Sequence, residues 1–361
     1  MLAFEFEQLS ALGLTPALAN RAVGLAASGS ERCELVRITM VHRGTVVVHD
    51  GVEERSARPL PRLFRTLDDE GTALTVGDWV LAAVDAHGET WIETRVPPSS
   101  HIARRDGNGR VHPVVSNVDS ALLVMGLDDD FNPRRLERYL ALVRDDAITP
   151  VVVLTKADFA TPTDADLAGR LALLDGRIPA GVEVFAVNAL DASRVRVLDG
   201  YLGRGRTLVL LGSSGAGKST LTNTLLNVAV QDTGPVRAHD GRGMHTTTSR
   251  SLHQLPGGAC VIDTPGLRTL RPDIDEASLA ASFEDIDSLA ARCRFRDCAH
   301  EQEPGCAVRE AIGADRLRNY HKLLREMRRD TLTALDRQRQ RALWKARSRG
   351  AELRLRAKRG E

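Results

Sequence analysis

Eight consecutive residues, Gly212-Ser213-Ser214-Gly215-Ala216-Gly217-Lys218-Ser219, carry the strongest chemical signal in this sequence. A glycine, four intervening positions and then Gly-Lys-Ser is the spacing at which backbone N–H groups turn inward on a chain of phosphates. The run follows the apolar stretch Thr207 to Leu211 and precedes a helical pattern from Thr220 to Asn227. The anion would therefore meet a helix N-terminus, whose first N–H groups lack intrahelical partners. Lys218 is placed to neutralise the β- and γ-phosphates, and the Ser219 hydroxyl to ligate magnesium. Asp263-Thr264-Pro265-Gly266 ends a second apolar run, Ala259 to Ile262. There Asp263 would hold magnesium through a water, and the Gly266 N–H would sense the terminal phosphate. Between the two lies Gly241-Arg242-Gly243-Met244-His245-Thr246-Thr247-Thr248, a polar loop suited to closing over phosphate and metal. One of its threonines, Thr246 and Thr247 among them, would supply a further magnesium ligand.

Base choice rests on Thr155-Lys156-Ala157-Asp158, at the end of the apolar run Val151 to Leu154. The pattern resembles the Asn/Thr-Lys-x-Asp motif with which GTPases read guanine. Asp158, as a buried carboxylate, would accept from guanine N1–H and the 2-amino group; adenine offers no such donor pair. Lys156 would lay its stem over the base. Asn188-Ala189, ending the next apolar run, stands at the place of the weaker Ser-Ala motif, and only the backbone of Ala189 is assigned a role there. In ordinary GTPases the base motif follows the phosphate motif, and here it precedes it. The order is that of a circularly permuted GTPase domain, with the phosphate-sensing segments at its C-terminal end. Of 49 basic residues only five are lysine, and two of those five, Lys156 and Lys218, fall in the two nucleotide motifs. Arginine's planar fork replaces neither a compact ammonium in a phosphate cradle nor a slim stem along a base.

A second chemistry is spelled by Cys293-x4-Cys298-x-His300-x5-Cys306, three thiolates and an imidazole within fourteen residues. Four such ligands close a tetrahedral zinc site and leave no position for water, so its role would be structural. A segment this short has little core of its own, and metal binding would stabilise its fold.

These groups need elements to hold them. At 361 residues, 42% hydrophobic and 27% charged, the chain has the composition of a globular protein of two or three domains. Residues 1–31 read as a helical extension, and 32–110 as a barrel of short alternating strands separated by glycine and proline turns. An OB-type barrel is the natural candidate, although an SH3-like one leaves much the same trace. From 111 to 272, apolar strands alternate with helical stretches, which predicts an α/β domain with a mostly parallel, helix-covered sheet. A helical segment carrying the Cys/His cluster spans 273–336. The tail, 337–361, holds ten basic residues against Glu352 and Glu361, although the net charge of the whole chain is only +1. No apolar run approaches the roughly 18 residues of a membrane helix, and acids flank the N-terminus where a signal peptide needs bases. A cytoplasmic protein without membrane attachment is expected.

The succession of Thr-Lys-x-Asp, P-loop, Gly-x-Gly-x-His-Thr-Thr-Thr, Asp-x-Pro-Gly and the Cys/His cluster closely resembles the RsgA/YjeQ family of ribosome small-subunit-dependent GTPases. Gly77-Asp78-Trp79-Val80 in the barrel fits the same family. The resemblance covers about residues 33 to 330. It implies an OB-fold, a permuted GTPase domain and a zinc domain, with GTP and GDP, magnesium and one structural zinc as ligands. It further implies a role in late maturation of the small ribosomal subunit, contact of the outer domains with ribosomal RNA, and stimulation of GTP hydrolysis by the subunit. Thr155 stands where the family more usually has Asn, which puts the contacts with guanine N7 and the P-loop in question. Leu267 follows the Asp-x-Pro-Gly element where Ras-like enzymes place a water-orienting glutamine. His245 is the nearest side chain able to take that role, and the resemblance points to it; a potassium ion or a ribosomal group is the alternative. A GTP-switched RNA-binding scaffold with negligible turnover and an ATP-dependent small-molecule kinase are the competing readings, the latter disfavoured by Asp158 and the Cys/His cluster. A monomer is expected.

Overall fold

The computed structural model describes residues 2–27, 33–42, 44–105, 111–143, 148–158, 164–233, 250–264 and 276–330. The chain divides into two compact units, Met1–Ile312 and Gly313–Glu361. His245, Thr246, Thr247 and Gly266, expected to close over phosphate and metal, and the basic tail from 337 onward lie outside the described residues.

A two-residue strand β1 (Leu2–Ala3) and helices α1 (Phe6–Ser10) and α2 (Pro16–Ala26) open the chain. Pro16 occupies the first turn of α2, where no N–H is required, and the Thr15 hydroxyl accepts from the Leu18 N–H at 3.3 Å. Five strands follow: β2 (Cys33–Val41), β3 (Val46–His49), β4 (Glu54–Pro59), β5 (Trp79–Val84) and β6 (Thr90–Arg95), with α3 (Pro61–Asp69) between β4 and β5. They pair in the order β2-β3-β4-β6-β5, and β5 returns to β2, closing the barrel. β4 and β6 run parallel, the remaining pairs antiparallel. That connectivity is the five-stranded OB type and decides between the two barrel expectations. Alternate residues Val36, Ile38, Val80, Ala82 and Ile92 fill the interior, and Leu63 and Leu67 of α3 close one end. The opposite face of β2 and β5, through Leu35, Trp79 and Leu81, is buried with Leu18 and Ala22 of α2.

A hairpin, β7 (His101–Arg105) and β8 (Val111–Ser116), leads into β9 (Ser120–Gly126), α4 (Pro133–Val143), β10 (Thr149–Thr155), α5 (Asp164–Leu174) and β11 (Glu183–Ala186). The short helix α6 (Ala192–Val195), β12 (Thr207–Gly212), α7 (Lys218–Thr233), β13 (Ser251–Gln254) and β14 (Cys260–Asp263) complete the domain. The sheet order is β11-β10-β9-β12-β14-β13, all parallel except β13. Leu122, Val124, Val151, Val153, Leu208, Leu210 and Val261 face one core, shared with Leu221 and Leu225 of α7. Their neighbours Leu123, Val152, Leu154, Val209, Leu211 and Ile262 face another, shared with Leu136 and Leu140 of α4. Burial on both faces is why these strands read as continuous apolar runs. Polar β13, Ser-Leu-His-Gln, pairs with β2 at Ser251–Met40 and so joins the sheet to the barrel.

Arg37 of β2 reinforces this junction. Its fully buried guanidinium donates to the Thr207 hydroxyl at 2.9 Å and the Asn117 carbonyl at 2.9 Å, also to Leu12 O, and lies over the Trp79 ring. Because each of these acceptors belongs to a different segment, removing the cation would leave several buried oxygens short of a donor.

Helices α8 (Glu276–Ser282) and α9 (Glu284–Ala290) follow, with α8 against α4, and the Cys/His segment continues into α10 (Ala307–Ala311). The second unit contributes α11 (Ala314–Asp330) among the described residues. No described helix is long and apolar enough to cross a membrane.

Candidate functional site: a nucleotide pocket and a metal centre

The phosphate loop leaves the end of β12 and enters α7. Gly212 has no room for a side chain: a β-carbon there would lie 2.4 Å from the Val124 carbonyl oxygen of neighbouring β9. Gly215 and Gly217 have φ values of +83° and +92°, the left-handed region where glycine alone is unstrained. The Lys218 ammonium donates to the carbonyls of Gly212 at 3.1 Å and Ser213 at 2.8 Å, curled over the loop it would share with phosphate. Burial pushes this ammonium below the ordinary lysine value, while Asp263 and Asp130 pull toward the charged form. Phosphate oxygens would favour that charged form further.

Ser219, in the first turn of α7, meets Asp263 at the end of β14. The Ser219 hydroxyl donates to Asp263 Oδ2 at 3.1 Å. Hydroxyl and carboxylate oxygens side by side are the hard donors magnesium takes, so the donor set fits that ion. Thr264 donates to the Leu210 carbonyl at 2.6 Å, which pins the end of β14 beside the phosphate loop.

The base motif ends β10, two strands from β12. Thr155 donates its hydroxyl to the Ala216 carbonyl at 2.6 Å, so the P-loop contact put in question by the missing Asn is made by threonine. Lys156 adopts φ +60°, and its ammonium is held by Asp128 Oδ2 at 2.6 Å. Asp158 is exposed, where a buried carboxylate was expected. It stands in the turn just beyond the strand end, where the chain leaves the sheet and its neighbours no longer cover it. Its chain neighbour Ala157 donates its N–H to Val187 O at 3.3 Å, and the Ala189 carbonyl accepts from the Thr224 hydroxyl at 2.6 Å.

Sequence reasoning missed the loop between β9 and α4. Its Leu127 N–H donates to the Thr155 carbonyl at 2.9 Å, Asp128 takes Lys156, and Asp130 accepts the Ser213 hydroxyl at 2.6 Å. Arg135 in turn holds Asp130 at 2.5 Å. One loop thus touches both nucleotide motifs. The available signal was the acidic run Asp128-Asp129-Asp130 directly after an apolar strand, the place where open α/β sheets gather their ligands.

The metal centre is drawn together by its own turn. Donor atoms of Cys293, Cys298, His300 and Cys306 lie within 4.8 Å of one another. Cys293 Sγ is 3.7 Å and Cys306 Sγ 3.4 Å from His300 Nδ1, and the two sulfurs are 3.9 Å apart. A tetrahedron with Zn–S of about 2.3 Å and Zn–N of about 2.0–2.1 Å has edges of about 3.5–3.8 Å, so these spacings fit zinc. His300 reaches the cluster at φ +59°. The Glu303 carboxylate steadies that turn by accepting from the N–H groups of Ala299, Glu301 and Gln302 at 3.1, 2.9 and 3.0 Å. Burial first, and the Cys306 and Cys293 sulfurs next, push the Cys298 thiol up to about 11. A divalent cation favours the thiolate and would reverse that balance.

A phosphate loop with a lysine and a hard-donor pair, joined to a base-motif strand that precedes it in the chain, defines a circularly permuted P-loop GTPase. The family model described as RsgA GTPase matches residues 96–272. The small ribosomal subunit biogenesis GTPase RsgA of Xanthomonas oryzae pv. oryzae (strain MAFF 311018) is 46% identical over 295 residues, covering 80% of this chain and 79% of its own. Its namesake in Xanthomonas axonopodis pv. citri (strain 306) is 46% identical over 299 residues, covering 81% and 80%. This chain belongs to the RsgA GTPase family. Among solved structures, YjeQ from Thermotoga maritima aligns with TM-score 0.58 at 25% identity, over 81% of this chain and 98% of that one. YloQ, a circularly permuted GTPase, shares the fold with TM-score 0.55 at 24% identity, over 83% of this chain and 97% of that one.

Proposed function

We propose that this protein hydrolyses GTP to GDP and phosphate during late maturation of the small ribosomal subunit, binding ribosomal RNA and being stimulated by the subunit. The observation that carries the nucleotide assignment is the 2.6 Å bond from Thr155 to Ala216, which joins the base-motif strand end to the phosphate loop. In this reading the loop 212–219 and Thr220 hold the phosphates, Lys218 neutralises them, and Lys156, Ala157, Asp158 and Ala189 surround guanine. Ser219 and Asp263 would hold magnesium, which when bound draws charge from the β- and γ-oxygens. Gly266 and one of Thr246 and Thr247 would complete the phosphate and metal contacts. His245 orients the attacking water, since Leu267 cannot. One structural zinc is held by Cys293, Cys298, His300 and Cys306. The domain division follows the sequence: extension 1–31, barrel 32–110, GTPase 111–272, zinc segment 273–336 and a basic tail, 337–361, that adds electrostatic affinity for RNA. The protein acts in the cytoplasm as a monomer.

Multiple-turnover phosphate release from GTP, with and without purified small subunits, tests this reading. Turnover should be slow in isolation and accelerated by the subunit, and His245→Ala should abolish the stimulation while GTP still binds. Turnover that stays negligible with the subunit present would leave a GTP-switched RNA-binding scaffold.

A further inference from the structure

Guanine presents two hydrogen-bonding faces. The Watson–Crick edge offers N1–H and the 2-amino group as donors, which suit the Asp158 carboxylate. N7, on the other side of the ring, is an acceptor, and any side chain that reads it must donate a hydrogen. A threonine hydroxyl has one hydrogen to give; a carboxamide at the same place has two.

In this structure that one hydrogen is committed. Thr155 is fully buried, and its hydroxyl donates to the Ala216 carbonyl at 2.6 Å, at the short end for such a bond. The next oxygen in reach is another acceptor, the Met125 carbonyl at 3.5 Å. The rest of the side chain is equally taken up with the phosphate loop. A β-carbon built on Gly217 would meet Thr155 Oγ1 at 3.1 Å and its methyl carbon at 3.5 Å, so both branches of the threonine lie against the loop backbone. Turning the hydroxyl toward a base would give up the bond to Ala216 inside a buried site, where an unmade bond is costly.

We infer that Thr155 is a positioning residue for the phosphate loop and not a reader of the base, so that guanine is selected by its Watson–Crick edge alone and N7 goes unread. This rests on the guanine-reading assignment of Asp158. The ligand class it admits is wider than GTP: nucleotides with a guanine Watson–Crick edge, including those that lack the acceptor at position 7.

The test uses the full-length parent protein with GTP, 7-deaza-GTP and ATP in competition against a fluorescent GDP. The expected result is 7-deaza-GTP binding within about twofold of GTP, with ATP excluded; a loss of about tenfold, the size of one hydrogen bond, would overturn the inference. ATP competing as well as GTP would instead overturn the guanine assignment beneath it. Thr155→Asn supplies the second hydrogen and should acquire a preference for GTP over 7-deaza-GTP of about three- to tenfold. Equal binding of the two nucleotides by that variant would show that residue 155 does not face N7, and so that it is not what sets the tolerance.

Discussion

The metal centre and the nucleotide pocket are built in opposite ways. Cys293, Cys298, His300 and Cys306 come from one short segment of chain, and their donor atoms gather within 4.8 Å, braced by Glu303 and by the Arg294 N–H to Gly305 carbonyl bond at 3.0 Å inside that same segment. The nucleotide pocket draws on the ends of β9, β10, β12 and β14, and its parts are up to 135 residues apart, from Asp128 to Asp263. A local site should lose its metal with one ligand, because all four donors are needed to close the same tetrahedron. A dispersed site is held by a sheet whose two cores are independent of any one ligand-facing side chain, so it should fail in graded steps.

Cys298→Ser should show the first behaviour most starkly. Elemental analysis should fall from one zinc per chain to none, since a serine hydroxyl is a poor substitute for thiolate. GTP affinity should stay within about twofold, because among the described residues no nucleotide-motif side chain bonds to that segment. A comparable loss of GTP binding would mean that the two sites are not independent.

Lys218→Ala removes the charge that the phosphate loop curls around. Subunit-stimulated turnover should drop about a hundredfold or more, as for loss of one preorganised electrostatic contact. Zinc content should be unchanged.

Asp158→Asn replaces a charged acceptor with an amide. A lost charge-assisted bond of roughly 1.5–3 kcal/mol lowers GTP affinity by about tenfold or more and relaxes exclusion of ATP. Unaltered affinity and selectivity in a nucleotide competition would remove Asp158 from the pocket.

The smallest effect is reserved for Asp128→Asn, which frees Lys156 from a half-exposed ion pair. GTP affinity should fall only about two- to fivefold, the range of such pairs. Partial burial pushes the Asp128 carboxyl up, but the Lys156 hydrogen bond, the Asp130 N–H and the Lys156 charge outweigh it and hold the group below the ordinary carboxylate value. A depressed folded value means that the tether contributes fully above about pH 4 and is lost as pH falls through the lowered value. Affinity measured down an acid series should therefore converge for parent and variant.

Much of this molecule was legible in its residues. Strand runs such as Val151 to Leu154 and Thr207 to Leu211 announced themselves because both sheet faces are buried. β4 and β13 did not: Glu-Arg-Ser-Ala-Arg-Pro and Ser-Leu-His-Gln are largely polar segments whose pairing with neighbouring strands makes them strands, and each is too short of apolar residues to show as a run. The barrel type was likewise undecided until the parallel β4–β6 pair and the closing β2–β5 pair were seen, since strand spacing carries no information about partner or direction.

Ligand spacing fixed the metal cluster, and motif order fixed the permutation, because both are one-dimensional facts about the chain. The contacts that tune the pocket are three-dimensional. That Thr155 gives its only hydrogen to the phosphate loop, and that Asp128 and Asp130 each hold a residue from a different nucleotide motif, depends on where parallel strands β9, β10 and β12 end relative to one another. Register across a sheet is set by the packing of both faces at once, and only the folded chain brings those ends together.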